Sequence, residues 1–276
     1  MKTQEIINLS QITSYSNLVS NVLRRQNETV LMKKQYTPDI NLYYHNNLPN
    51  ELAEEIIRFV WLDEEPVEGE FEFVRQIRAK VYRMTFRGEV YYLKIYTPQT
   101  MSKIIKNFFR PADAVRYFQT SLKLLNASIT VAQPILALTR KKMFQSTQSI
   151  FVTREVFGPN LRTYLMDEDI QHDFDCREKL ISQLSHIWIN LANHKLAHHD
   201  PHLLNFIVHA DHKNQDFQIN LIDIDNVYFK PFLPKKVLLE KNLQKLKWQL
   251  SRPEFSIPYS NLIWNKIRTN CETLIK

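Results

Sequence analysis

Glycine and cysteine are both scarce in this sequence of 276 residues. The three glycines, Gly69, Gly88 and Gly158, are too far apart to form a phosphate-binding loop of the G-x-G-x-x-G type. The two cysteines, Cys176 and Cys271, have no other cysteine near them, which excludes a disulfide framework and a cysteine-based zinc site. This cysteine usage is typical of a protein in a reducing cytosol.

Long hydrophobic runs are also missing. No stretch of about 18 consecutive apolar residues occurs, so we predict no transmembrane helix. The first residues, MKTQEIINLSQITSYSNLV, lack the apolar segment of a secretion signal, and we predict none. With 44% hydrophobic residues, the chain nevertheless has enough apolar side chains to fill one two-lobed domain or two small ones.

Acidic residues are too few to balance the basic ones, and the formal net charge is +7 at pH 7. Five lysines crowd one C-terminal segment: Lys235, Lys236, Lys241, Lys245 and Lys247. Such patches attract polyanions, which include nucleic acid, acidic lipid and phosphorylated substrates. A solvated lysine face is the alternative interpretation.

A second basic patch surrounds the apolar stretch IIKNFF and comprises Lys103, Lys106 and Arg110. Because cations next to apolar residues can lie in an anionic interface, this patch predicts peripheral membrane association. The apolar residues involved are Ile104, Ile105, Phe108 and Phe109. The alternative is that these four side chains pack in the core.

The first half of the chain predicts mainly strands. Its first 60 or so residues are interpreted as helix and loop, with a helix from Pro49 or Asn50. The runs FEFVRQIRAKVYRMTF and EVYYLKIYTP predict two antiparallel strands joined at Arg87-Gly88. Residues 112–126 predict an amphipathic helix with Val115, Phe118, Leu122 and Leu125 on its apolar face. PILALT and SIFVTREVF predict two further strands before a turn at residues 158–160.

Beyond that turn helices predominate. They are predicted for NLRTYLMD, for residues 176–193 and for most of the chain from Pro234, whereas FIV and QINLIDIDNVYF predict a small pair of strands. This order predicts an α+β chain with a cleft at residues 157–161. We divide it into an N-terminal extension at residues 1–69, a β-rich N-lobe at 70–157 and a mainly helical C-lobe at 158–276.

One loop and the strand pair after it carry the chemistry. Phosphoryl transfer requires a carboxylate that accepts the proton of the attacking hydroxyl, and oxygen ligands that hold magnesium on the triphosphate. Kinase-like folds supply these groups with the spacing H-x-D-x-x-x-x-N and a carboxylate on the next hairpin. Here HHDPHLLN contains Asp200 and Asn205, and LIDID contains Asp223 and Asp225. Lys94, in YYLKIY, is the candidate ligand of the α- and β-phosphates.

Two simpler interpretations of the loop stay open. An Asp and an Asn five positions apart also occur in structural loops, although the helix before this loop and the apolar strand after it argue against that. His198, His199 and His202 are alternatively zinc ligands. Against a zinc site, Pro201 denies them helical spacing, and no other obvious ligand cluster completes a tetrahedron.

Over roughly residues 70–250 the chain resembles the lipopolysaccharide core kinases, the Kdo and heptose kinases of Gram-negative bacteria. HHDPHLLN and LIDID are similar to the H-x-D-x-x-x-x-N loop and the I-D-x-D strand end of that family. EKNLQKLKWQL is similar to the N-L-x-R-L-x-R-S helix of Kdo kinases, with Lys245 and Lys247 where arginines are usual. SLKLLNASITVAQPI resembles a family helix that ends in a G-hydrophobic-P-V-P-x-P-I turn, with Ser128 in place of the glycine.

The resemblance implies a two-lobed protein-kinase-like fold and a kinase that uses ATP and Mg²⁺. It implies that Asp200 is the catalytic base, that Asn205 and Asp223 are metal ligands, that Lys94 binds phosphate and that His198 is a buried organiser of the loop. Four more residues are assigned to the nucleotide site: Arg75, Arg78, Lys80 and Glu155. The implied acceptor is Kdo or heptose of the inner core, an anionic glycolipid. We therefore expect a cytoplasmic protein peripheral to the inner membrane, with no nucleic-acid partner.

Two features depart from the kinase pattern. Residues 74–83, VRQIRAKVYR, contain no glycine that lets the backbone approach the phosphates, so the basic residues of this segment are the substitutes. The helix at residues 112–126 contains no glutamate to pair with Lys94, and Gln119 and Asp113 are its nearest polar candidates.

Two alternative functions follow from these departures and from the motif. The first is a pseudokinase that serves as a scaffold in envelope assembly. The second is a phosphotransferase acting on another small molecule, because similar loops occur in kinases of quinone biosynthesis and in aminoglycoside and choline phosphotransferases. The basic patches favour an anionic acceptor over a cationic one, since like charges repel.

Overall fold

A seven-stranded antiparallel sheet forms the first half of the molecule. The computed structural model describes residues 31–47, 49–97, 110–141, 147–167, 173–211, 216–253 and 256–274. The sheet has the strand order β1-β2-β6-β7-β5-β4-β3. Its strands are β1 (Met32–Gln35), β2 (Ile40–Tyr44), β3 (Gly69–Gln76), β4 (Lys80–Phe86), β5 (Glu89–Tyr96), β6 (Pro134–Arg140) and β7 (Gln148–Arg154).

The first two strands correct the prediction of helix and loop for this segment. Ile40 and Leu42 are buried, and β2 pairs with β6, so Met32–Gln35 and Ile40–Tyr44 belong to the sheet. β1 is an edge strand of four residues, MKKQ, in which no alternation of apolar and polar residues signals a strand. The prediction of a single strand across residues 71–86 is also wrong, because a bend at residues 77–79 divides it into β3 and β4.

Two helices cover opposite faces of the sheet. Helix α1 (Asn50–Ile57) begins where predicted and continues into a π-helical turn (Arg58–Leu62). It packs in one apolar cluster with Leu136 and Leu138 of β6. Helix α2 (Asp113–Asn126) packs in another cluster with Ala137, whose side chain points to the other face because side chains alternate along a strand. On α2, Leu124 is buried and Leu125 is 40% exposed, so Leu125 does not belong to the apolar face as predicted.

Helices dominate the second half. They are α3 (Leu161–Met166), α4 (Phe174–Asn193), α5 (Lys235–Leu250) and α6 (Ser260–Leu274). α4 begins two residues earlier than predicted because Asp173 caps it: its carboxylate accepts the N–H of Cys176 at 2.9 Å. The fully buried Trp188 of α4 lies in the core of this half. A β-rich lobe and a mainly helical lobe thus form the predicted α+β architecture.

Two short antiparallel pairs lie against these helices. β9 (Phe206–Asp211) pairs with β10 (Asp216–Leu221), and β8 (Leu196–His198) pairs with β11 (Val227–Phe229). The prediction of one strand through LIDID is wrong, since β10 ends at Leu221 and both aspartates lie in the loop before β11. Because they lie in a loop, the two side chains do not have to alternate between the faces of a sheet.

Within the described residues, no helix combines the length and the hydropathy needed to cross a bilayer. The apolar and basic patch predicted to contact a membrane lies outside the described residues, except for the exposed Arg110. Cys176 and Cys271 are both buried and free.

Candidate active site

Two adjoining cavities lie between the sheet and the helical half. The first has a volume of about 250 Å³, and its charged lining residues are Arg75, Arg78, Lys94, Asp200, Asp223 and Asp225. The second, of about 300 Å³, is lined largely by apolar residues, which include Val156, Leu204, Ile207 and Ile222. The two cavities share Arg75, Val81, Lys94 and Asp223. They therefore form one continuous site. We call the first the charged cavity and the second the apolar cavity.

Lys94 joins the sheet to the aspartates of the β10–β11 loop. Its Nζ donates to Oδ1 of Asp223 at 2.7 Å and lies 3.5 Å from Oδ1 of Asp225. Tyr96 follows two positions later on β5 and therefore faces the same side of the sheet. Its hydroxyl lies 2.9 and 3.1 Å from the two carboxylate oxygens of Asp225. One strand thus supplies both a cation and a hydroxyl donor to the acidic loop.

The two aspartates titrate in opposite directions. Burial alone would raise the pKa of Asp223, but the charge and hydrogen bond of Lys94 hold it below the usual value. Burial raises the pKa of Asp225, and the negative charge of Asp223 adds to that rise while Lys94 opposes it. Burial, followed by the charge of Asp225, also raises the pKa of Tyr96, so this hydroxyl stays a hydrogen-bond donor. Of the two carboxyl groups on the cavity wall, Asp223 therefore ionises more readily.

His198 anchors the loop HHDPHLLN, the candidate catalytic loop, to the core of the helical half. Its side chain is fully buried, and its ring packs against the rings of Trp188 and Phe206. Nδ1 of His198 accepts the N–H of Asp200 at 3.3 Å. Burial lowers the pKa of His198 to about 4, so the ring is neutral near pH 7 and Nδ1 is free to accept. Asp200 itself is exposed and lines the charged cavity.

Helix α5 holds the same loop from the other side. Asn242 accepts the backbone N–H of His198 at 3.1 Å and donates to the carbonyl of Leu196 at 3.2 Å. Nζ of Lys245 donates to the carbonyl of His199 at 2.6 Å. The helix that resembles the N-L-x-R-L-x-R-S segment therefore fixes the backbone on which Asp200 stands.

Asn205 lies next to the acidic loop through a backbone contact. Its carbonyl accepts the N–H of Ile222 at 3.0 Å, and its own N–H donates to the carbonyl of His202 at 2.8 Å. Asn205 and Asp223 both line the second cavity. The spacing of HHDPHLLN and LIDID thus brings an amide and a carboxylate side chain to one wall.

The remaining residues assigned to the nucleotide site are placed differently. Arg75 and Arg78, of the β3–β4 hairpin, line the charged cavity. Lys80 is exposed at the start of β4 and lines neither cavity. Glu155 also lines neither, and its carboxylate accepts from Arg83 at 3.2 Å and from the Tyr92 hydroxyl at 3.4 Å.

The sequence did not reveal what pairs with Lys94. Of the two candidates on α2, Asp113 forms its ion pair with Arg116 and Gln119 is exposed, so the partners of Lys94 are Asp223 and Asp225 instead. Tyr96 was missed entirely. The spacing of two between Lys94 and Tyr96 on a strand was its signal.

The alternative of a zinc site finds no matching cluster. Among the residues that the structure describes, no group of three or more His, Cys, Asp or Glu side chains is arranged to hold a metal ion. His198 is enclosed by aromatic rings, while the ring of His199 lies against Tyr228.

Comparison with known proteins bears on the same residues. The model of the lipopolysaccharide kinase (Kdo/WaaP) family matches residues 58–262, about three quarters of the chain. The chain belongs to this family. The resemblance predicted from its motifs is confirmed.

A solved structure, "WaaP in complex with acyl carrier protein", is similar at 16% sequence identity with a TM-score of 0.49. The match covers 80% of the present chain and 98% of the other. No curated protein sequence matches this Kdo/WaaP family kinase.

Proposed function

We propose that this kinase transfers the γ-phosphate of ATP to a sugar hydroxyl, on Kdo or heptose, of the lipopolysaccharide inner core. The observation that supports this reaction best is the convergence of Lys94, Asp200, Asn205 and Asp223 on two adjoining cavities. A proton acceptor, a phosphate ligand and two oxygen donors are the groups that phosphoryl transfer requires. The sugar itself is inferred from membership of the family alone.

The shape of the site suits a nucleotide. The apolar lining of the second cavity takes the base, and the triphosphate runs along Arg75, Lys94 and Asp223, which line both cavities, next to Asn205 of the second. Arg78 lines the charged cavity as well. In the absence of a glycine-rich loop, these arginines of the β3–β4 hairpin supply positive charge where other kinases supply backbone N–H groups.

The side chains of Asn205 and Asp223 fit a magnesium ion. Mg²⁺ is bound in such sites by one or two carboxylates together with phosphate oxygens, and here an amide oxygen and an ionised carboxylate lie on one cavity wall. These two residues would hold the ion, which would supply positive charge against the charge that develops on the phosphates. Asp223 holds Lys94 at this wall, where the lysine would orient the phosphates beside the ion.

Asp200 orients the acceptor hydroxyl and accepts its proton. Its carboxylate is exposed and lines the charged cavity, while its backbone is fixed by His198 and, through the neighbouring peptide, by Lys245. We place this reaction at the cytoplasmic face of the inner membrane, where a peripheral kinase meets an anionic glycolipid. The pseudokinase scaffold is the competing function, because the hairpin at residues 74–83 contains no glycine.

Exchange of Asp200 for asparagine separates these two functions. Asp200→Asn keeps the shape but removes the proton acceptor, so turnover falls by about two to four orders of magnitude. Binding of ATP with Mg²⁺, measured by thermal shift, stays close to that of the wild type. The matched control is Asp63→Asn, at an exposed position outside both cavities.

The same variant is tested in a host that lacks this protein. Mass spectrometry of its lipid A-core then reports the loss of one phosphate and its restoration. Full restoration by Asp200→Asn, at normal expression, would refute the enzymatic function and favour the scaffold.

A further inference from the structure

A third cavity, of about 420 Å³, lies between the catalytic loop and α5. It shares no lining residue with the two cavities of the nucleotide site. Its apolar lining residues include Leu233, Leu238 and Trp248, and its histidines and lysines are His198, His199, Lys230, Lys241 and Lys245. The proposed reaction leaves this cavity without a role.

This third cavity, which we call the basic cavity, has an excess of positive charge. Among the described residues that line it, none is acidic, and Lys230, Lys241 and Lys245 form no ion pair with any described carboxylate. Burial, and after it the charges of these same lysines, lowers the pKa of His199. Lys230, Lys241 and Lys245 line the same cavity, so all three ammonium groups attract an anion that enters it.

This charge stands next to the catalytic carboxylate. His199 lines the basic cavity, and the following residue, Asp200, lines the charged cavity of the nucleotide site. Neighbouring Cα atoms are about 3.8 Å apart, so residues that line the two cavities adjoin in one loop. Lys245 Nζ donates to the carbonyl of His199, in the peptide unit that joins these two residues. A ligand bound in the basic cavity would therefore lie against the residue that precedes Asp200.

An exposed aromatic side chain lines the cavity: Trp248 is 59% exposed. Phe232, one position before the lining residue Leu233, is 97% exposed. Exposed aromatic residues near lysines that form no ion pair with a described carboxylate suit a ligand that carries both an anionic group and apolar surface, as a glycolipid does.

We propose that this basic cavity binds an anionic group of the acceptor, a carboxylate or a phosphate on the inner-core sugars, and so holds the reacting hydroxyl at Asp200. The proposal rests on the proposed function, because it specifies the acceptor of that reaction. Lys230 and Lys241 are its anion ligands, while Lys245 positions the loop through His199.

The test compares two double variants of the full chain with equal changes of charge. Lys230→Gln/Lys241→Gln alters the cavity, whereas Lys235→Gln/Lys236→Gln alters exposed lysines of α5 that do not line it. The acceptor is lipopolysaccharide truncated to the inner core. For the first variant we expect KM for this acceptor to rise about tenfold or more, because charge-assisted hydrogen bonds are lost. KM for ATP and kcat stay within about twofold.

Binding of the same truncated lipopolysaccharide is measured without ATP, from the change in tryptophan fluorescence that Trp248→Phe removes. This readout separates the two proposals. If only the cavity variant binds the acceptor more weakly, and the wild type transfers no phosphate, the proposed reaction is refuted and the anion site is retained. Normal transfer with equal acceptor affinity in all variants refutes the anion site and keeps the reaction.

Inorganic phosphate serves as a second probe and distinguishes a free anion from the acceptor. For an acceptor site, millimolar phosphate competes with the glycolipid but does not by itself change kcat with ATP. A different result would overturn the proposal: phosphate binds the wild type, but the cavity variant binds the glycolipid as tightly as the wild type does. The cavity would then be a site for a free anion. Equal loss of acceptor affinity in both double variants overturns it as well, since that result reports general charge attraction.

Discussion

Lys94 donates to Asp223 at 2.7 Å across 129 positions of the sequence, so a lysine of the β-rich lobe is paired with a proposed metal ligand of the helical lobe. The same ammonium group lies 3.5 Å from Asp225. A metal ion at Asp223 must therefore share this carboxylate with Lys94 or displace it. The pairing links nucleotide binding, metal binding and the contact between the two lobes.

Replacement of Lys94 by methionine exposes this competition. The variant leaves two largely buried carboxylates without a cation, which raises their pKa values and lowers the free energy of unfolding by about 2–4 kcal/mol near pH 7. Because no lysine competes for Asp223, Mg²⁺ alone raises Tm more in Lys94→Met than in the wild type. Thermal unfolding with and without MgCl₂ measures both effects. Lys34→Met, at an exposed lysine, is the control, and equal responses to Mg²⁺ in all three proteins contradict the prediction.

Tyr96 is expected to stabilise the acidic loop through Asp225. Tyr96→Phe removes the hydroxyl at 2.9 Å and leaves a buried carboxylate with one donor fewer, which costs about 1–3 kcal/mol. Turnover falls with it, because Asp225 and Asp223 share Lys94. Urea unfolding and steady-state kinetics test this prediction against Tyr36→Phe, an exposed tyrosine. A Tyr96→Phe protein that is as stable as the control shows that the hydrogen bond contributes nothing.

Sequence patterns predicted which candidate side chains come together better than they predicted where strands begin and end. H-x-D-x-x-x-x-N predicts that one loop carries two candidate side chains, and Asp200 and Asn205 line the two adjoining cavities. The pairing of Lys94 was not predictable, since it joins residues 129 positions apart and depends on how β5 meets the β10–β11 loop. The strand Met32–Gln35 was missed for another reason: an edge strand with one partner needs little apolar alternation.

The buried His198 makes stability depend on pH in a defined direction. Its pKa in the folded protein is about 4, below the ordinary value of 6.5, so between these pH values the unfolded chain binds a proton that the folded protein does not. The contribution to stability is therefore complete above about pH 6.5 and is lost as the pH falls towards 4, by up to about 3 kcal/mol.

We expect His198→Asn to flatten this part of the curve. Its side-chain oxygen can still accept the N–H of Asp200 but does not titrate. Urea unfolding at pH 5 and pH 7.5 gives the difference for each protein. His186→Asn, at an exposed histidine of α4, is expected to keep the slope of the wild type. If His198→Asn shows the same change in stability between pH 5 and pH 7.5 as the wild type, His198 is not the cause of the pH dependence.

Gly158 lies in the connection between the sheet and the helical half, directly against β9. Its φ is +132°, and a Cβ at this position would lie 2.1 Å from the carbonyl oxygen of Val208. The N–H of Val208 donates to the carbonyl of Pro159 at 2.9 Å, so this connection is fastened to β9, the strand that directly follows Asn205. A side chain at Gly158 must therefore push away the strand that follows a proposed metal ligand.

Gly158→Ala and Gly88→Ala form a matched pair that tests this contact. Gly88 has φ +77° with no atom within 4 Å of an added Cβ, so alanine there costs only the backbone term of about 1 kcal/mol. Gly158→Ala adds a clash with backbone, and we expect a loss of more than about 3 kcal/mol or no folded protein. Urea unfolding compares the two variants with the wild type, and Mg²⁺-dependent ATP binding reports whether Asn205 has moved. An equal loss of free energy of unfolding in both variants would show that β9 can move to accommodate the added methyl group. The contact at Gly158 would then not fix the position of Asn205.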